Sequence, residues 1–352
     1  MGEMRISAGR RTVLLLSALL VVAVVGEGCG CSWGSGGARG SGPSAGPTST
    51  PVPRPEPNPT NPLTGTGAPP GGPVIAVKID NVAAARPQVG LAGADVVYVE
   101  MVEGGLTRLV AVYASRRPRT VGPVRSVRSS DPELLAHYGP IVLAFSGGAA
   151  GVVAHFRRSP LVDGSTYAHA GAYRRLAGRP APHNLMVDLY LLARALPRAG
   201  GVRDVGFRWA LGDPRLSAAR RASRLAVRMG GTLVSFAWDG PHHVFDQTAD
   251  GGPVREAGGR PLATPNVLVQ LCPVTVDRTD VDVVGNPAQY THTVGSGAVL
   301  LFRDGKVIAG RWRRTQASAA TEYLDEQGQP LLLRPGGVWV LHAPQGSLVH
   351  YG

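Results

Sequence analysis

The side chains best suited to chemistry gather in a handful of short stretches in the first half of the chain. Lys78-Ile79-Asp80-Asn81 and Arg86-Pro87-Gln88 come first, then Tyr98-Val99-Glu100-Met101 running into Val102-Glu103-Gly104-Gly105-Leu106-Thr107-Arg108. Gly122-Pro123-Val124-Arg125-Ser126-Val127-Arg128 follows, and Ala181-Pro182-His183-Asn184 closes the series. Arg125 and Arg128, spaced i, i+3 in an extended or turn segment, can offer two planar forks to one anion. Arginine suits that task because it binds phosphate or carboxylate bidentately and keeps its charge. His183 beside Asn184 is the strongest general acid–base candidate, since histidine titrates near neutral pH. The competing reading is architectural, with Glu103 paired to Arg108 or Arg125 and Asp80 capping a turn; buried ion pairs alone say little about function. Four arginines, two acids, a histidine and two asparagines exceed what a domain edge needs. The expected binding set is therefore Asp80, Asn81, Arg86, Glu103, Arg108, Arg125, Arg128, His183 and Asn184.

Familiar catalytic signatures are absent. Ala144-Phe145-Ser146-Gly147-Gly148 lacks the first glycine of a nucleophile elbow. There is no Walker loop and no G-x-G-x-x-G, and the histidines show no metal-ligand spacing. His242 and His243 are adjacent and cannot both face one metal from a strand. Neither a metal nor a cofactor is expected, and no catalytic residue is assigned. Cys272 reads as a buried, inert thiol.

The elements that must position these groups change character along the chain. Val74 to Ile79, Val96 to Met101, Leu109 to Tyr113 and Ile141 to Phe145 are β-branched or aromatic runs that predict strands. Asp131-Pro132-Glu133 predicts a helix start with Asp131 as its cap, and Val187 to Leu196 predicts a leucine-rich helix ending near Pro197. Beyond residue ~220 the apolar runs shorten: Leu225 to Met229, Thr232 to Trp238, Val267 to Leu271, Ala298 to Phe302 and Val338 to His342. Asp239-Gly240, Asp304-Gly305, Gln327-Gly328 and Pro335-Gly336 punctuate them, a pattern of tight hairpins. The expected class is α+β: a mixed α/β N-terminal domain over 74–205 and a mostly antiparallel β C-terminal domain over 220–352.

The N-terminus reads as an address. Arg5, Arg10 and Arg11 precede Val13 to Val25, an apolar run broken only by Ser17. A basic segment followed by ~7–15 apolar residues is a secretory signal, and a spanning helix would need about 18 or more. Cys29 then resembles the acylated cysteine of a bacterial lipobox, although Gly26 and Glu27 depart from the usual aliphatic and small residues. Acylation of Cys29 is the favoured reading; Cys31, plain cleavage and an uncleaved tether are the others. Between Gly30 and Pro73, 32 of 44 residues are Gly, Pro, Ser or Thr, which predicts a disordered spacer.

The 352 residues carry 36 basic and 24 acidic side chains, a net charge of +12. Only Lys78 and Lys306 are lysines, and Ala, Gly, Arg and Pro are abundant together, as high-GC codon usage produces. A positive body still attracts anionic lipid or wall polymer. Nucleic acid is disfavoured as a partner, because export removes the chain from it and no aromatic stacking platform accompanies the arginines.

In order, the runs KIDN, ARPQ, GLAGADVVYVE, EGGLTR, GPVRSVRS, FSGG and APHN resemble the YerB-like family of bacterial proteins over roughly residues 63–350. Pro265-Asn266-Val267, Gly295-Ser296-Gly297, Asp304-Gly305-Lys306 and Gly310-Arg311-Trp312 extend the likeness into the second half. By this resemblance the expected set, together with Gln88, occupies the family's motif positions. The resemblance implies an N-terminal domain of unknown function, a β-rich second domain, and a lipid-anchored protein on the outer face of the cytoplasmic membrane. The functional expectation is an arginine-lined N-terminal pocket that binds an anionic group of a wall polymer, lipid-linked precursor or partner protein. The alternative is an envelope hydrolase or phosphoryl-group transferase, with Arg125 and Arg128 holding phosphate and Asp80 or Glu103 as base.

Overall fold

The computed structural model describes residues 60–281 and 285–352. The signal segment, Cys29, Cys31 and the spacer up to residue 59 lie outside the described residues. The apolar runs of the first half become β1 (Ile75–Asp80), β2 (Val96–Met101), β3 (Thr107–Tyr113) and β4 (Val142–Ala144). β3 lies antiparallel between β1 and β2, while β4 runs parallel to β1 and to the short β5 (Val162–Asp163). On its other edge β2 pairs parallel with Val338–Pro344, which pairs parallel with Asn266–Cys272. Gly295–Arg303, Lys306–Arg314 and Glu322–Leu324 then continue the same sheet antiparallel. One sheet of eleven strands therefore crosses from the first half of the chain into the second.

Because successive strand residues point to opposite faces, this sheet must be covered twice. On one face Ile75, Val77, Ile79, Val97, Val99 and Leu341 pack against a second, six-stranded sheet built on Arg224–Met229, Thr232–Asp239 and Val244–Ala249. Phe236 meets Trp339 edge-on at 5.4 Å between ring centroids. On the other face Val96, Val110, Val112 and Leu143 pack against α1 (Asp131–Leu135), α2 (Ala150–Arg157) and the aromatic rings of Tyr138, Phe145 and Phe156. The antiparallel ribbon β6 (Tyr173–Arg175) and β7 (Leu185–Val187) and the helix α3 (Leu189–Ala195) follow.

Strands dominate both halves, and the helical share expected of the first half is small. α1 stops within five residues, and Gly139, with φ of 77°, and Pro140 soon follow. Ser130, not Asp131, stands at its cap position without a side-chain capping bond, and the Asp131 carboxylate is engaged with Lys78 and Arg128 N. α3 is capped as a helix should be, with Asp188 Oδ1 accepting from Leu191 N at 3.0 Å. The second half is less uniformly antiparallel than expected, since two of its central strands run parallel. Of its expected turn pairs, Asp304 and Gly305, with φ of 51° and 66°, join Arg303 to Lys306 in a two-residue hairpin, whereas Pro335-Gly336 links strands of two different sheets and closes no hairpin.

The expected spacer does not reach residue 73. Leu63 is fully buried, Asn61 Oδ1 accepts from Leu63 N at 3.0 Å, and Trp209 Nε1 donates to Pro62 O at 3.1 Å. Composition hid this docking because its partners are far away in sequence.

Candidate functional site

Alternation along the three central strands aims charge at one face. With Ile75, Val77 and Ile79 turned to the second sheet, Ala76, Lys78 and Asp80 face the helices. The register sets Arg108 opposite both Asp80 and Glu100, so the three form a cross-strand row. All of them are buried.

Asp80 is the hub. Its carboxylate, with no exposed surface, lies 3.5 Å from Arg108 Nη1, 3.3 Å from Arg125 Nε and 2.8 Å from His183 Nδ1. Residues 121–125 bring the last two there. Asp80 N donates to Pro123 O and Arg125 N donates to Lys78 O, both at 2.9 Å, so this segment runs beside β1. Val124 N donates to Leu185 O at 2.7 Å, which seats β7 and the preceding His183 turn on its far side. The side chains of Arg125 and His183 are 24% and 20% exposed, so the hub opens to solvent through them.

Arg125 and Arg128 do not converge on one anion. Arg128 Nε donates to Glu103 Oε2 at 2.8 Å and its Nη2 to Oε1, completing a bidentate pair. Asp280 adds a second carboxylate at 3.9 Å from Arg128 Nε. Burial works to raise the Glu103 carboxyl, but the Arg128 hydrogen bond and charge hold it below its ordinary value. Burial likewise opposes the Arg128 charge, and Glu103 outweighs it, leaving the guanidinium pKa raised. Glu103 thus pairs with Arg128 and, at 3.7 Å, with Arg108, and not with Arg125.

Three groups that the sequence did not mark as a unit lie beneath the hub. Lys78, fully buried, bonds Glu100 and, at 2.7 Å, Asp131 Oδ1. Burial lowers its pKa, with Asp131 opposing the shift. Asp131 Oδ2 also accepts from Arg128 N at 2.7 Å, joining the two carboxylate clusters. A buried lysine in a β-branched run was the available signal, since a lysine is almost never fully buried unpaired.

The remaining expected residues form the rim. Gln88 Nε2 donates to Asp80 O at 3.2 Å, and Asn81 Nδ2 donates to Thr107 Oγ1 at 2.9 Å. Arg86 Nη2 reaches Asn81 O at 3.4 Å, while Asn184 Oδ1 accepts from Arg175 Nη1 at 2.6 Å. Arg179, also not anticipated, donates to Pro87 O at 2.6 Å. These arginines spend their N–H groups on carbonyl and amide oxygens rather than on carboxylates. A groove of about 580 Å³ lies elsewhere, on the six-stranded sheet beside Arg224 and His350. Cys272 is buried, and burial raises its thiol pKa. Among the described residues no cluster of three His, Cys, Asp or Glu could hold a metal ion.

Residues 62–202 match the N-terminal domain, and residues 225–340 the C-terminal domain, of the protein of unknown function DUF3048. The chain is 26% identical over 282 residues to "Putative lipoprotein YerB" of Bacillus subtilis (strain 168), covering 77% of this chain and 81% of that one. It also superposes on the crystal structure of the YerB protein from Bacillus subtilis with a TM-score of 0.69. That match covers 82% of this chain and 98% of the other at 22% identity, a likeness of fold.

Proposed function

The chain belongs to the YerB-like, DUF3048 family of proteins of unknown function, and from that membership we propose an exported, lipid-anchored cell-envelope protein that binds an anionic group. The ligand is a phosphate or carboxylate of a wall polymer, lipid-linked precursor or partner protein. It binds at the edge formed by Arg125, His183 and Arg86. The carrying observation is that Asp80, itself without exposed surface, is faced by Arg108, Arg125 and His183, two of which reach solvent. Arg86, Arg175 and Arg179 ring the same edge with their N–H groups on neutral oxygens. An incoming anion would meet cationic donors already held in place, which lowers the ordering cost of binding. Arg128, Arg108 and Glu103 act as the frame behind it. The thermal shift of the full chain with inorganic phosphate, polyprenyl phosphate and wall fragments tests this. A ligand should stabilise the wild type and fail to stabilise Arg125→Ala; an undiminished shift in that variant would remove the edge from consideration.

A second reading, hydrolysis or phosphoryl transfer at the same edge, is favoured by the Asp80–His183 contact. A carboxylate on Nδ1 fixes the imidazole tautomer and leaves Nε2 as the ring nitrogen for proton transfer. Asp80 and Glu103 are buried in ion pairs, so the base in this reading is His183. If phosphate esters added to the wild type and His183→Ala are consumed at equal rates, this second reading fails while the binding reading stands.

A further inference from the structure

A second basic face lies where the segment Arg116–Thr120, the ribbon β6–β7 and α3 meet. Arg119 Cζ stands 4.5 Å and Arg194 Cζ 5.8 Å from the centroid of the Tyr190 ring. Arg174 Nη2 donates to Thr120 Oγ1 at 2.6 Å, and Leu189 N donates to Pro118 O at 3.1 Å, which ties the three elements together. α3 buries Leu189 and Leu192 and turns Tyr190, Leu191 and Arg194 outward. Arg119 is 69% exposed, Tyr190 41% and Leu191 39%. Asp188, the carboxylate on this face, is engaged in capping α3 and lies 3.8 Å from Arg119.

The described chain also begins here. Asn61 Nδ2 donates to Ser115 Oγ at 2.9 Å, and Arg117 Nη2 donates to Gly71 O at 2.7 Å and to Pro73 O at 3.2 Å. The N-terminal segment therefore joins the body at the loop that carries Arg116, Arg117 and Arg119.

We infer that this face docks on the anionic headgroups of the membrane to which the chain is tethered. The inference rests on the export and anchoring proposed above and is independent of the Arg125 edge. A tyrosine and a leucine beside arginines match the two layers of a membrane interface. Ring and methyl groups enter at headgroup level, and guanidinium groups meet phosphate. Arginines near an anionic leaflet are attracted over about one Debye length, so the contact is salt-dependent. It does not need to hold the protein alone, because a tether already keeps the face close to the surface.

The test uses the full chain reconstituted with vesicles of phosphatidylcholine, alone or mixed with phosphatidylglycerol. Flotation with phosphatidylcholine alone reads the anchor. Amide exchange over Arg116–Thr120 and Leu189–Ala195 reads docking. The expected result is flotation with both vesicles and slowed exchange only with phosphatidylglycerol. That protection should fall about tenfold or more in the Arg119→Glu, Arg194→Glu variant, given roughly one headgroup interaction lost per arginine. An unchanged melting temperature of the variant separates a surface effect from unfolding, and Leu191→Ser probes the apolar half independently. Flotation with equal exchange in the two vesicles overturns docking while leaving the anchor intact. Protection by soluble polyphosphate without any phosphatidylglycerol effect overturns it in favour of a polymer ligand. Failure to float on phosphatidylcholine removes the anchor, and the docking inference with it.

Discussion

At Arg125 and Arg128 one residue type serves two different ends, and burial decides which. Arg128 holds Glu103 in a buried bidentate pair, so truncating it strands a carboxylate away from water. Arg128→Ala should cost about 3–5 kcal/mol of stability in urea unfolding. Arg125→Ala, at a partly exposed site with a single 3.3 Å contact, should cost about 1 kcal/mol or less. Equal losses would mean that both arginines are architecture. A second residue-scale effect concerns pH. His342 is buried and stacked on Tyr98 with ring centroids 5.4 Å apart, and burial, aided by the Arg314 charge, pushes its pKa down to about 3. Burial and then Arg314 lower His137 in the same way. Folded, each binds fewer protons than unfolded once the pH drops below about 6.5. Stability is therefore complete above that pH and declines toward the folded pKa by about 1.4 kcal/mol per pH unit for each histidine. Glu103 acts with the same sign, but only near and below its unfolded pKa of about 4.3. Urea midpoints from neutral pH to about pH 5 should show the histidine slope, and His342→Gln should reduce it. Identical slopes in the two proteins would contradict the assignment.

At the scale of elements, the antiparallel ribbon formed by Val274–Val281 and Pro287–Thr291 meets the first half at two places, with Asp280 on Arg128 and Ser129, and with Glu133 of α1 on Tyr290 and the residues just after the ribbon. Glu133 Oε1 accepts from Thr293 N at 2.6 Å, Val294 N at 3.0 Å and Thr293 Oγ1 at 3.1 Å, and Oε2 accepts from Tyr290 Oη at 3.1 Å. Hydrogen bonds to a charged group contribute about 1.5–3 kcal/mol each in isolation but do not add, so Glu133→Ala should cost about 2–4 kcal/mol. Amide exchange should quicken at Pro287–Thr291 more than in β1 or β3; a uniform change would mean the latch is not local. The strands built on apolar runs and the Asp304-Gly305 turn were readable because period, β-branching and positive-φ residues are local properties, whereas the more polar strands Val274–Val281 and Lys306–Arg314 were not. α1 was readable only in outline. Whether Asp131 caps a helix or binds Lys78 depends on a strand more than fifty residues away in sequence.

At the scale of the molecule, the family boundary between residues 202 and 225 does not divide the sheet. β2 lies between β3 and Val338–Pro344, so removing the second half would bare a strand edge and the apolar face that Trp339 and Phe236 cover. A fragment of residues 60–205 should fail to fold alone, and the whole chain should melt in a single calorimetric transition. Native-like near-ultraviolet dichroism from that fragment would show that the first half is self-sufficient.

By itself the sequence determined what neighbouring residues can settle: the strands built on apolar runs, the Asp304-Gly305 hairpin turn, and the identity of the polar motif residues. These follow from composition and from periods of two to four residues. Tertiary structure alone decided which arginine meets which acid. Lys78, Asp80, Glu100 and Arg108 share a face because strand register places them there, and Arg125 opens to solvent while Arg128 does not. Those outcomes depend on pairing across the sheet and on burial by elements remote in the chain, and no local pattern encodes either.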